Sequence, residues 1–575
     1  MTQNSTSSAA AGALYSFLLR LLSFALSQLT IRFVDPLTLG KASIRLELIC
    51  STTVLFLGRE GFRLALLRVA DSDGENDKDE DKKRTSSRLR QVNNVSWLSV
   101  PMSLFLTAIA LAFHLCTYRG QVSAPSDSYA NKDELDDYKL AGILYCLATA
   151  IEIISEPCMI VCLRTIDVKT RAKAEAFASL GKALGCVLLL SFDKGEYHAA
   201  SFGFSQCIYA VVLTSVLYLE KWNCLEWPSA VAGGQAGSLL SKIKLNFDIS
   251  TVRLSGLFSL QSIFKHVLTE GDRIVLTALV GTYDAGVYAM ASSYGGMASR
   301  LLFQPLEENG RLLFSNKHAF IVKAKEEKKE IGNLVDDLEW AYCTLVKFVL
   351  YIGLIFAAFA YNYTSVLLRL LAGATWGSNV EAAEALSAFC VYTAFMALNG
   401  MTEAFVYGVA ADSGREVGSL ALAHGFVGFV FYVLAPLLVL HRDFGLGGTV
   451  GLVAANGLCM VLRSMYSLHF AHSHFSRYRG MRLKSRLEFV AKLLPKFPII
   501  CSFIISFLIA HQSRILFMNG QNLPLLSMDT ASHLGIGISC FIFTSCLIYT
   551  LEKDFGRSLR AMVSNRSESN KSKSD

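Results

Sequence analysis

Residues 416–440 read EVGSLALAHGFVGFVFYVLAPLLVL, and after Glu416 the stretch contains no Asp, Glu, Lys or Arg. Coiled into a helix it would be roughly 37 Å long at 1.5 Å per residue, enough to cross the ~30 Å hydrocarbon core of a bilayer. Working outward from it, similar apolar runs lie near 10–33, 38–68, 97–118, 139–163, 168–192 and 200–220. Others lie near 257–280, 285–315, 338–360, 380–410, 446–470, 488–511 and 532–552. The reading is an all-α polytopic membrane protein with about fourteen transmembrane helices. Composition agrees: 52% of residues are apolar, 37 are Phe, and only 18% are charged, against about a quarter in soluble chains.

The loops orient these helices. Loops after even-numbered helices, with the C-terminal tail, hold about five times as many Lys and Arg as the odd-numbered loops, and basic residues collect on the cytoplasmic side. Both termini are therefore expected in the cytoplasm. The net charge of +7 resides in those loops, so a nucleic-acid partner is not expected. The N-terminus is polar and uncharged through Ala10, and Arg20 interrupts the first apolar run, so the first span reads as retained and not as a cleaved signal. The fourteen Cys are scattered without a C-x-x-C pair and read as buried apolar residues, not as a metal site. No G-x-x-x-x-G-K-[ST] string is present, so neither a nucleotide nor a cofactor is expected. Residues 70–95 include DSDGENDKDEDKKRTSSRLR (71–90) and read as a disordered cytoplasmic linker. The tail ends with Lys571 and Lys573 in a di-lysine retrieval pattern for the endoplasmic reticulum, and Asn362-Tyr-Thr364 is a candidate glycosylation sequon.

A repeat halves the chain. Gly40 opens helix 2 and Gly286 opens helix 8, each after a turn containing an acid, Asp35 or Asp284. Phe56 and Glu60 follow the first glycine, and Phe303 and Glu307 follow the second, at nearly the same spacing. The expected plan is a six-helix half over 1–220, a linker over 221–250, a second half over 251–470, two added helices over 471–552 and a tail over 553–575. Parallel repeats about an axis along the membrane normal are a transporter design.

Ionisable residues inside apparent spans mark function, since each costs at least ~2.5–3.5 kcal/mol at the bilayer centre. Helix 2 carries Arg45, Glu47, Arg59, Glu60 and Arg63; helix 7 carries Lys265, Glu270, Asp272 and Arg273. Helix 8 adds Arg300, Glu307, Glu308 and Arg311, and elsewhere stand Arg20, Glu152, Glu156 and Glu403. Arg59 and Arg63, at i and i+4, share a helix face and offer planar donor forks suited to phosphate. Arg20, Arg45 and Arg300 would form inner steps of a basic path. The bland reading stands beside this: Arg63 snorkels, while Glu152, Glu156, Glu403, Lys182 and Arg463 serve packing alone. With aromatics such as Tyr288, Tyr294, Phe303 and Tyr392, the set suits a phosphate-bearing lipid or a sugar-lipid.

The strings FLGREGFR (56–63), FKHVLTEGDRIVLTALV (264–280), GVYAMASSYGGMASRLLFQPLEENGRLLF (286–314), ALNGMTEAF (397–405) and TIRFVDPLTLGKASIRLEL (30–48) carry a resemblance. They resemble the eukaryotic endoplasmic-reticulum Man(5)GlcNAc(2)-PP-dolichol translocation proteins, within the multidrug/oligosaccharidyl-lipid/polysaccharide flippase superfamily. The resemblance implies a flippase, not an enzyme, that moves this oligosaccharide-lipid from the cytoplasmic to the lumenal leaflet for N-glycan assembly; a monomer is expected. It places the family's charged positions on Arg32, Arg59, Glu60, Arg63, Glu270, Asp272, Arg273, Arg300, Glu307 and Glu308. Two alternatives remain: a binding or chaperone role for the same lipid, and an ion-coupled small-molecule antiporter.

Overall fold

The structure is a computed structural model, and it describes residues 22, 25–70, 81–122, 132–165, 167–193, 197–222, 225, 227–228, 246–410, 414–440, 448–479, 486–518 and 527–561. Among these residues every regular element is a helix. In the first part of the chain they are α1 (Pro36–Leu39), a wide-turned π-helical stretch (Gly40–Thr52), α2 (Thr53–Ala70), α3 (Asp81–Val122), α4 (Lys132–Ile154), α5 (Glu156–Arg164), α6 (Val168–Phe192) and α7 (His198–Lys221). There follow α8 (Ile249–Thr269), α9 (Gly271–Leu279), α10 (Thr282–Ala298), α11 (Gln304–Glu326), α12 (Gly332–Ala358), α13 (Thr364–Leu371) and α14 (Ala374–Gly377). The last are α15 (Val380–Val409), α16 (Gly414–Leu440), α17 (Gly448–Arg479), α18 (Arg486–Leu493), α19 (Phe497–Phe517) and α20 (Met528–Leu551).

Nine described helices are long and apolar enough to cross a bilayer, and the bent pair at 135–164 makes a tenth. Phe105, Phe426, Phe429 and Ile542 are each more than half exposed, as side chains facing acyl chains must be. Segments 38–68, 257–280 and 285–315 are helical but are not among these, and most of 10–33 lies outside the described residues. The expected linker over 70–95 is corrected in part. Helix α3 begins at Asp81, because Leu89, Val92 and Val95 recur at helical spacing and bury Val92 and Val95. Residues 71–80, the tail from 562 and its two lysines lie outside the described residues.

Contacts divide the chain into two compact units, Met1–Gly286 and Val287–Asp575. In the first, α4 packs along α7, where Gly203 lies against Leu144 and the Ala141 carbonyl. Small residues permit such close approach between helices in lipid. Asp137 of α4 caps α7 from outside, accepting the Ala199 and Ala200 amides at 2.9 and 2.8 Å. Helix α8 packs along α2 through Gly61 against Ser255 and Ser259, His266 to Thr53 at 2.9 Å, and Lys265 to Glu60 at 2.7 Å. The two glycines that open the repeat meet here. A Cβ on Gly40 would strike the Thr282 carbonyl, and one on Gly286 would strike the Pro36 carbonyl.

The second unit is built on an aromatic core. Tyr342 of α12 sits 4.6 Å from Phe405 of α15, with Phe314, Phe475 and Phe489 around it. Phe303, Tyr288 and Tyr294 are buried, Phe303 within this core; Tyr288 and Tyr294 are 4% and 5% exposed, so none of the three presents an open aromatic surface. Helices α19 and α20 are joined by Ser502 and Ser506 to Thr544 at 2.9 and 3.0 Å. Asn362 is fully buried, and its Nδ2 points at the Ala358 and Phe507 carbonyls at 3.4 Å.

Two predictions follow from this packing. Gly286→Val should cost about 1–3 kcal/mol through overpacking and lower the melting temperature in detergent, whereas Gly256→Ala, with nothing within 4 Å of its Cβ, should not. Asn362→Gln should leave electrophoretic mobility unchanged, as should endoglycosidase treatment of the wild type.

Candidate functional site

Helix α2 brings its charges to one cavity in the first unit, of about 580 Å³. Arg59, Glu60 and Arg63 line it, with Glu47 from the π-helical stretch, Glu152 from α4 and Lys182 from α6. Opposite α2, the fourth span is broken between Glu152 and Glu156. Pro157 has no amide hydrogen and cannot continue the ladder, so α4 and α5 meet at 43° around Ser155. The Ser155 hydroxyl and amide both return to the Glu152 carbonyl, at 2.7 and 3.0 Å.

The break carries its carboxylates at the same spacing as the arginines. Arg59 Nη1 donates to Glu152 Oε1 at 2.9 Å. Arg63 grips Glu156 with both arms of its fork, Nε on Oε1 and Nη2 on Oε2, the latter at 2.7 Å. The arginine side chains remain 23% and 19% exposed while the carboxylates are 5% and 1% exposed. The guanidiniums thus keep a face on the cavity, and the glutamates stand behind them. Lys182 pairs with Glu47 at 3.1 Å and Glu60 with Lys265 at 2.7 Å. The lining therefore sets three cations, Arg59, Arg63 and Lys182, against three carboxylates, Glu47, Glu60 and Glu152.

Of the residues singled out from sequence, Arg59, Glu60 and Arg63 line this cavity, with Glu47, Phe56 and Glu152. Arg45 does not; its Nε is buried without a hydrogen-bond partner in the π-helical stretch. Arg32 is exposed on a short 3-10 turn. Arg273 pairs with Glu270 at 3.3 Å where α8 meets α9, and Asp272 accepts the Arg273 amide at 2.8 Å. In the second unit Arg300 is exposed and donates to the Ser293 carbonyl at 3.1 Å. Glu307 abuts Gly400, and Glu308 accepts from Gln304 at 3.2 Å. Glu403 takes both arms of Arg463, at 2.8 and 3.1 Å, and His424 at 3.0 Å. Arg20 lies outside the described residues. Sequence reasoning favoured a packing role for Lys182, Glu152 and Glu156 without discarding a functional one, and missed Ser179, Gln206 and Tyr209 in the cavity wall. The lone amide of Gln206 in the apolar run AASFGFSQCIYAVV was the available signal.

The described residues thus form a helical protein with several helices long and apolar enough to cross a bilayer and a charged cavity inside one bundle. Comparison with known proteins narrows this. The model of the family described as "Rft-1: Rft protein" matches residues 4–562, and the chain belongs to that family. It is 29% identical over 540 residues to the Man(5)GlcNAc(2)-PP-dolichol translocation protein RFT1 of Schizosaccharomyces pombe, covering 91% of each chain. It is 27% identical to the mouse protein of the same name, covering 96% of each. Among solved structures, the lipid II flippase MurJ in an inward closed conformation superposes with a TM-score of 0.54 at 11% identity, covering 94% of this chain and 99% of that one. That likeness concerns the fold.

Removing one member of a buried pair strands the other. Arg63→Ala should therefore lower the melting temperature, and adding Glu156→Gln should restore most of the loss, as read by thermal unfolding in detergent.

Proposed function

We propose that the protein moves a dolichol-diphosphate-linked oligosaccharide from the cytoplasmic to the lumenal leaflet of the endoplasmic-reticulum membrane, for N-glycan precursor assembly. Both termini face the cytoplasm in this reading, and the protein acts without nucleotide. The observation that carries it is the pair of guanidiniums, Arg59 and Arg63, one turn apart on the wall of a polar cavity inside a helical bundle. Planar forks at that spacing suit the oxygens of a diphosphate. The names of the relatives, which specify Man(5)GlcNAc(2)-PP-dolichol, supply the substrate class.

The arginines are already satisfied by Glu152 and Glu156. A diphosphate binds by taking over the open faces of the guanidiniums and loosening the carboxylates, with Lys182 as a third cation nearby. Because the lining cations and carboxylates balance, an entering dianion leaves excess negative charge that ion-pair exchange or proton uptake must relieve. Loosening Glu152 and Glu156 also releases the two sides of the α4–α5 break from α2. That gives substrate binding a route to helix movement, as alternating access requires. Arg45, Arg300 and Arg32, with Arg273, would serve later stages of the path; Glu270 and Asp272 are the candidate proton carriers.

The test is transport of the authentic oligosaccharide-lipid in proteoliposomes containing the purified protein. Wild type should accelerate crossing. Arg59→Ala should slow it by about ten- to a hundredfold, the worth of a charged hydrogen bond. The Arg63→Ala/Glu156→Gln double variant should regain stability but not transport. Wild-type protein that binds the lipid without speeding its crossing would replace this reading with a binding or chaperone role.

A further inference from the structure

Beside the charged wall the same cavity has a neutral one. Helix α7 contributes Gln206 and Tyr209, α6 contributes Ser179, and Phe56 stands on α2. Gln206 and Tyr209 are three residues apart and share a helix face. Gln206 is only 6% exposed, and its Oε1 has no hydrogen-bond partner. A buried amide carbonyl without a donor costs about 1–3 kcal/mol, so this one calls for a ligand that donates.

A diphosphate diester cannot answer that need, because at neutral pH its oxygens only accept. Carboxylates cannot either, and the lysine on this wall is held by Glu47 at 3.1 Å. A sugar can: it brings hydroxyl and acetamido N–H donors on a ring whose apolar face lies against aromatic side chains such as Tyr209 and Phe56. At about 580 Å³ the cavity matches sites for one small ligand. It holds the sugar next to the diphosphate, not a seven-sugar glycan.

Resting on the diphosphate reading above, we propose that Gln206, with Tyr209 and Ser179, forms a sugar subsite for the N-acetylglucosamine attached to the diphosphate. Arg59 and Arg63 take the charge, and Gln206 accepts a hydrogen bond from the sugar. The protein thereby distinguishes a glycosylated lipid diphosphate from the bare carrier. Gln206 is a specificity-determining residue in this assignment.

The experiment measures binding of two probes to the full-length protein in detergent: a short-chain polyprenyl diphosphate, and the same lipid bearing N,N′-diacetylchitobiose. Wild type should bind the sugar-bearing probe more tightly. Gln206→Leu should weaken that probe by about tenfold while leaving the bare diphosphate unchanged, and Gln206→Asn, which withdraws the carbonyl by one methylene, should do the same. Arg59→Ala should weaken both. A merely structural Gln206 would lower both affinities together, which overturns the subsite, as does equal binding of both probes by wild type. Failure of wild type to bind either probe would instead overturn the diphosphate reading on which the subsite rests.

Discussion

The broken fourth span and helix α2 are held together by two arginine–glutamate pairs, and the cavity depends on them. Four charged side chains cannot be placed in a bilayer unless they meet one another or water. Here the carboxylates are buried and the guanidiniums are left half-turned to the cavity. That asymmetry gives the site its chemistry. Donor forks already desolvated on one side are poised for an oxyanion on the other, while the charge behind them prevents the empty cavity from being strongly cationic.

The geometry follows from covalent constraint at Pro157. With a residue at 157 that had an amide hydrogen, α4 would run straight on, and Glu152 and Glu156 would lie one turn apart on a single regular helix. The 43° bend instead puts them on either side of a joint, each tied to a different arginine. A ligand that competes for both arginines thus acts on the joint itself. The neutral wall of Gln206 and Tyr209 is carried by α7, which packs along α4, so both walls report to the same pair of helices.

The second unit is organised differently. Its aromatic core around Tyr342 and Phe405 is dense and apolar, and its Glu403–Arg463–His424 cluster is satisfied internally. Helices α8 and α9, which the repeat assigns to the second half, pack in the first unit through Lys265–Glu60 and His266–Thr53. The repeat spacing and the packing therefore divide the chain at different places, and the contact of Gly40 with Gly286 lies where the two opening helices of the repeat meet.

The sequence by itself determined the class: an uncharged apolar run as long as 417–440 satisfies its own backbone in lipid as a helix, and is too long for a strand of a membrane barrel. It also located the arginine pair, since i,i+4 spacing on a helix puts two side chains on one face without reference to anything else. It did not reveal which partners those arginines take. Glu152 and Glu156 lie 93 positions away, and a bend, not a periodicity, brings them into register. Nor did it distinguish Arg45 from Arg59 on the same predicted helix, or mark Gln206, whose meaning comes from a buried, unpartnered carbonyl on a residue of the cavity wall. Helical periodicity is local and legible; which faces oppose one another across a bundle is decided by long-range packing, and only the tertiary structure fixes it.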